Sequence, residues 1–197
     1  MQKYRIEGLS DLVFGLALSI GSLAMINQNI ESIDDVIRGI AWFGFGFLII
    51  VNVWISYAKI MSERQVETEA DFRLNILLLL LVSIEPFLLY MLGKEDSADI
   101  SLSGFSTMLF AIDIGLIMLV LGMFQHKIVT SKEEALVHKG ERDSHLVEAG
   151  LFLFSAIPIF WDVQLFDVRL RYVIWILSIA PIMYFKYMVG RKAPKAI

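Results

Sequence analysis

Four carboxylates, Asp11, Glu85, Asp113 and Glu148, interrupt or border long apolar stretches of this 197-residue chain. An ionisable group at membrane depth is costly, so it marks either a functional site or a polar pairing between helices. Catalysis would need these acids paired with one another or with a nucleophile. They fall instead on four separate segments. There is no cysteine, and Gly-x-Ser-x-Gly, His-Glu-x-x-His and phosphate-cradling glycine loops are all missing. His126, His138 and His145 follow no metal-ligand spacing and read as exposed side chains. The chain is therefore not expected to be an enzyme or to carry a cofactor. Its acids instead suggest ion handling or helix packing.

The elements that position these groups follow from composition. Hydrophobic residues make up 57% of the chain and charged residues 19%, with a net charge of −4 and a mean hydropathy of +0.66. Soluble domains carry about 45–50% apolar and about 25% charged residues, so a soluble globular protein, a disordered chain and a disulfide scaffold are all excluded. A spanning helix needs about 20 apolar residues. Residues 12–30 and 39–58 contain no Asp, Glu, Lys or Arg. Residues 74–93 are interrupted only by Glu85, and 100–126 only by Asp113. Two weaker apolar runs follow, with Glu148 near one end of the fifth and Lys186 near one end of the sixth, where a lysine can snorkel to the headgroups.

The expected fold is all-α: one polytopic membrane domain over 1–197, with six transmembrane helices near 7–28, 36–58, 74–93, 102–126, 145–165 and 170–190. No cleaved signal is expected, because Met1-Gln-Lys-Tyr-Arg leads straight into the first span. With both termini cytoplasmic, 13 of the 17 Lys and Arg residues lie inside, leaving only Arg38, Lys94, Arg169 and Arg171 outside. On this topology residues 27–36 form an acidic outer loop. Ser131 to Asp143 reads as a cytoplasmic loop or a helical extension of its neighbours. Pro86, Pro158 and Pro181 sit in the third, fifth and sixth spans, where kinks and ion-binding breaks are both established roles for proline. The pore-loop filter sequence Thr-Val-Gly-Tyr-Gly is absent, so no pore loop is expected.

Helical periodicity picks out the first span. Leu12, Leu16, Leu23 and Asn27 fall within about 40° of Leu16, with Ser19 about 60° away, whereas Asp11 lies about 140° off. Such a stripe could pack against a neighbouring helix or line a passage. In the second case it presents aliphatic rings with one hydroxyl layer between them. Asp11 and Arg5 do not share a face, so Asp11 needs a partner elsewhere, with Asn52, Trp54 and Tyr57 on the second span as candidates. Gly15, Ala17, Gly21 and Ser22 allow close packing of the first span in either case.

Arg5-Ile-Glu-Gly-Leu-Ser10-Asp11 resembles the Arg-x-x-x-Phe-Ser-Asp signature that opens the transmembrane protein 175 family of lysosomal potassium channels and their prokaryotic homologues. Asn52-Val-Trp54-Ile-Ser-Tyr57-Ala-Lys59 is similar to that family's Trp-x-x-His-His-Arg stretch ending the second span. Leu74-Asn75 through Glu85-Pro86-Phe87 resembles its leucine-rich third span. The resemblance covers most of residues 5–90. It implies a prokaryotic-type, single six-helix repeat and a homotetramer in the cell membrane, conducting potassium passively along the first span of each subunit. Leu16 and Leu23 then correspond to constriction rings, and Ser19 to the selectivity layer where a potassium ion rests transiently. Arg5, Ser10, Asp11, Trp54 and Tyr57 correspond to a network positioning the pore helix. The expected partners are potassium ions, the lipid bilayer and further copies of the chain, not nucleic acid.

Three departures from the family pattern carry consequences. Leu9 replaces the motif's Phe, a change that packing tolerates. Tyr57-Ala58 replaces the paired histidines, so the network beneath Asp11 differs and responds differently to pH. Ser19 replaces threonine, freeing a hydroxyl that a methyl group would restrict, and weaker discrimination between potassium and sodium is expected. The alternative from another class is a proton- or cation-coupled secondary transporter using Glu85 or Asp113.

Overall fold

A computed structural model of the chain describes residues 3–26, 32–63, 68–93, 100–129, 135–160, 163–165 and 168–178. It is helical almost throughout: α1 (Lys3–Ile26), α2 (Ile33–Glu63), α3 (Glu69–Gly93), α4 (Ile100–Val129), α5 (Ala135–Ser155) and α6 (Leu170–Leu177). A 3-10 turn (Pro158–Phe160) and a two-residue antiparallel ladder, Gln164 opposite Arg169 and Leu165 opposite Val168, lie between α5 and α6. Among the described residues, four helical stretches are long and apolar enough to cross a membrane: Ile6–Leu23, Ile33–Glu63, Glu69–Leu92 and Gly104–Val129.

The helix starts are set by capping rather than by hydropathy. Before α2, the Ser32 backbone N–H and hydroxyl both donate to Asp35 Oδ2 (2.9 and 2.7 Å), and the Asp35 N–H donates back to Ser32 Oγ at 3.2 Å. Before α3, Thr68 and Asp71 exchange the same reciprocal pair at 3.1 and 3.2 Å. Each is a capping box that satisfies two backbone donors otherwise left orphaned at a helix N-terminus. Its carboxylate also complements the positive end of the helix dipole. The expected acidic loop over 27–36 is corrected accordingly: Asp34 and Asp35 form the first turn of α2, and residues 27–31 lie outside the described residues.

The chain divides into two compact units, 1–113 and 114–197, with the boundary inside α4. In the first unit α1 packs on α3 and α2, and α2 packs on α3. Its core holds Phe14, Ile50, Val53, Ile60, Leu78 and Val82. Gly46 lets α2 approach α3 closely, because a Cβ there would collide with the Leu89 side chain. Pro86 lies inside α3, which runs through it to Gly93.

In the second unit Gly115 and Gly122 lie against Leu153 and Leu146 of α5. Phe152 stacks on Trp175 with ring centroids 5.9 Å apart, and the Trp175 indole donates to Ser155 Oγ at 2.8 Å. The stretch from Ala135 to Asp143, read as a loop or a helical extension, is the first part of α5. The expected helix over 145–165 differs from the structure. α5 ends at Ser155 and the chain turns through Pro158–Phe160, because the residue before a proline is driven out of the α conformation. The sixth helix starts at Leu170 as a described element of 8 residues. The rest of the expected 170–190 span, Pro181 included, lies outside the described residues.

Candidate functional site

α1 has two unlike faces. Ile6, Ser10, Phe14 and Ala17, spaced at i, i+4, i+8 and i+11, are buried against the helices behind. Leu9, Leu12, Leu16, Ile20 and Leu23 are exposed, with Leu16 at 51% and Leu23 at 58%. Ser19 lies on the same exposed side. Its hydroxyl donates to the Gly15 carbonyl at 2.9 Å, and the Ser22 hydroxyl donates to the Ser19 carbonyl at 2.7 Å. The stripe of Leu12, Leu16, Ser19 and Leu23 therefore lies on the exposed side of α1. Asn27, at its end, lies outside the described residues.

The opposite face is anchored by polar contacts rather than by apolar packing alone. Ser10 Oγ is 2.7 Å from Tyr57 OH, and Tyr57 OH donates to Asn75 Oδ1 at 2.8 Å. The Ser10 hydroxyl also lies 2.9 Å from the Ile6 carbonyl. With the tyrosine proton given to Asn75, the serine is the donor to Tyr57 and shares its single proton with Ile6. Ser10 and Asn75 are fully buried and Tyr57 is nearly so. The Tyr57 ring also meets Phe14, with centroids 5.6 Å apart. One relay thus joins α1, α2 and α3. Each such bond contributes about 0.5–1.5 kcal/mol net, and a partner orphaned in the interior costs about 1–3 kcal/mol.

A second link lies at the surface, where the Trp54 indole N–H donates to Asp11 Oδ1 at 3.1 Å. Of the three candidate partners for Asp11, Trp54 makes this bond, while Tyr57 serves Ser10 and Asn52 is exposed. Arg5 belongs to the backbone of α1, but its side chain lies outside the described residues. Asn75 is the member that sequence reasoning missed. It is the one amide within the leucine run of α3, and a buried amide among leucines needs a polar partner.

The remaining acids are buried. Glu148 accepts from the Ser144 hydroxyl at 3.1 Å. Glu85 is 1% exposed and Asp113 5% exposed. Neither oxygen of Glu85 nor Asp113 Oδ2 has a hydrogen-bond partner among the described residues. His126 Nδ1 lies 3.4 Å from Arg142 Nη1 at the surface, and Arg142 pairs with Asp143 at 2.6 Å. Among the described residues no group of three or more His, Asp or Glu side chains is placed to hold a metal ion.

This geometry provides a helix pinned on one side and bare on the other, with a hydroxyl between two leucine positions on the bare side. Residues 5–86 match the family model described as Endosomal/lysosomal potassium channel TMEM175. The matched segment contains all of the Ser10–Tyr57–Asn75 relay and ends at Pro86. No curated protein and no solved structure matches the chain.

Proposed function

From the match of residues 5–86 to the TMEM175 potassium channel family model, we propose that this chain belongs to that family and is one subunit of a homotetrameric potassium channel of the cell membrane whose pore is lined by α1. The observation that carries this reading is the exposed position of Leu16, Ser19 and Leu23 on a helix whose other face is tied down by Ser10, Tyr57 and Asn75. An exposed aliphatic stripe on a soluble protein would be a liability. On a pore helix its four copies close around an axis. The leucine rings narrow the passage and gate it by dewetting, and the serine hydroxyls replace part of the ion's hydration shell. Trp54 and Tyr57 hold the cytoplasmic half of α1 at the angle that this closure requires, with Arg5 and Asp11 at the same end of the helix.

Purified protein in potassium-loaded liposomes tests the reading. A channel dissipates the gradient without a coupling ion, whereas the coupled-transporter alternative requires one. Mass measurement in detergent should give four subunits. Replacing Leu16 with Asn should enlarge the single-channel current, and an unchanged current would remove Leu16 from the constriction. Ser19 offers a hydroxyl without threonine's methyl group, so discrimination between potassium and sodium is weaker than in threonine-bearing members. Ser19→Thr should raise the potassium preference, read as a shift in reversal potential under bi-ionic conditions.

A further inference from the structure

Asn52 is left over from the polar contacts that organise the first three helices. It lies on the exposed face of α2 beside Leu48 and Ile55, and it makes no hydrogen bond to any described residue. It also sits at depth. α2 is long and apolar enough to cross a membrane, and residues 39–58 carry no charge. Along the helix, Asn52 is about 10 Å from Lys59. Lipid tails offer an amide neither donor nor acceptor, so an amide facing them would be left unsatisfied. In membrane helices such amides bond across to a neighbouring helix.

A matching acceptor stands at nearly the same level. Asp11 is exposed on α1. Its Oδ1 accepts from the Trp54 indole at 3.1 Å, and its Oδ2 receives no bond from a described residue. Because Trp54 meets Asp11, Asn52 is only about 3 Å away from that level along α2. Within one chain the two do not meet. Asn52 lies about 160° round α2 from Trp54, on the far side from Asp11. Each chain thus presents a carboxylate on one side and an amide donor on the other. A donor and an acceptor on opposite sides at one level suit a head-to-tail contact that repeats around a ring. Beside Asp11, α1 is open to a second helix: a Cβ at Gly15, one turn on, would meet nothing within 4 Å.

We propose that the exposed stripe of α2 is the surface on which a second copy of this chain docks, with the Asn52 amide donating to Asp11 Oδ2 of the neighbouring copy. The inference rests on the reading of the chain as one of several copies and names a contact that joins them. It does not require α1 to line a pore. The carboxylate is then held through Oδ1 by its own chain and through Oδ2 by the next, so one side chain serves both the fold and the assembly.

Mass measurement of the full-length protein in detergent, followed on dilution, tests the contact. Asn52→Leu should raise the concentration of half-dissociation about tenfold. Asn52→Asp sets two carboxylates against each other and should raise it further. Adding Asp11→Asn to Asn52→Asp should restore association, because donor and acceptor have then changed places. The chain has no cysteine, so introduced thiols are the only ones present. Two differently tagged chains, one carrying Gly15→Cys and the other Leu48→Cys, should join by a disulfide on mild oxidation in the membrane. Gly15→Cys paired with Leu80→Cys, on the exposed face of α3, should not. A wild-type oligomer indifferent to Asn52→Leu would overturn the contact alone, and so would equal disulfide yields for the two thiol pairs. A monomeric wild type would overturn the homotetramer along with it. Should Asn52→Asp fail to insert, Asn52→Leu and the thiol pairs decide the matter.

Discussion

α1 and α4 are both apolar enough to cross a membrane, yet 22% of the residues in the α1 stretch are buried against 67% in the α4 stretch. In α4 the buried positions include Phe110, Ile114, Ile117, Leu121, Phe124 and Ile128, so its apolar character serves packing within the chain. In α1 five large aliphatic side chains, Leu9, Leu12, Leu16, Ile20 and Leu23, are exposed, and Ser10 sits on the buried face between Ile6 and Phe14. Hydrophobicity thus has two uses in one chain, and only the contacts of each helix tell them apart. A helix face that its own chain leaves bare must meet lipid, water or another protein surface. The polar relay on its buried side fixes which face is left bare.

The widest separation between the two helices should come from the same substitution made in each. Leu121→Ala in α4 removes a fully buried side chain and should cost about 2–5 kcal/mol, seen as a large fall in unfolding midpoint. Leu16→Ala in α1 should change stability by less than about 0.5 kcal/mol while increasing the current. Matching stability losses at the two positions would collapse the distinction.

The next effect tests what holds α1 in its orientation. Tyr57→Phe keeps the ring against Phe14 but removes the hydroxyl shared by Ser10 and Asn75. About 1–3 kcal/mol of stability should be lost through the orphaned Asn75 amide, measured by denaturant unfolding. A faster-closing or smaller current should accompany it as α1 loosens. Trp54→Phe should have the smallest effect, under about 1 kcal/mol, because the bond to Asp11 is exposed and water can replace it. A Trp54→Phe loss equal to that of Tyr57→Phe would make the surface link as important as the buried relay.

The first four helices are legible in the sequence because an uncharged run of about 20 residues has few other uses. Their ends are not, because apolar runs mark membrane depth whereas helix ends depend on capping. Ser32-Ile-Asp-Asp35 and Thr68-Glu-Ala-Asp71 are sequence signatures of such caps, and they start α2 and α3 several residues ahead of the apolar runs at 36 and 74. The early end of α5 was likewise available from Pro158 once weighed as a stop rather than a kink. The pairing of Ser10 with Tyr57 follows from two polar residues on adjacent helices. The third member was harder to place, because Asn75 has no local pattern and its role emerges only when α3 packs behind both. Which of Asn52, Trp54 and Tyr57 meets Asp11 depends on the rotation of α2 about its axis, a quantity fixed by tertiary packing.

The back-bonded hydroxyl of Ser19 carries one more consequence. Its proton is committed to the Gly15 carbonyl of its own helix, so what remains facing outward is oxygen lone-pair density with no hydrogen to offer. Four such groups around an axis would form a ring of pure acceptors, which solvates a positive ion and repels a chloride. Discrimination by the sign of charge would then be built into helix geometry at the serine, before any choice between one cation and another.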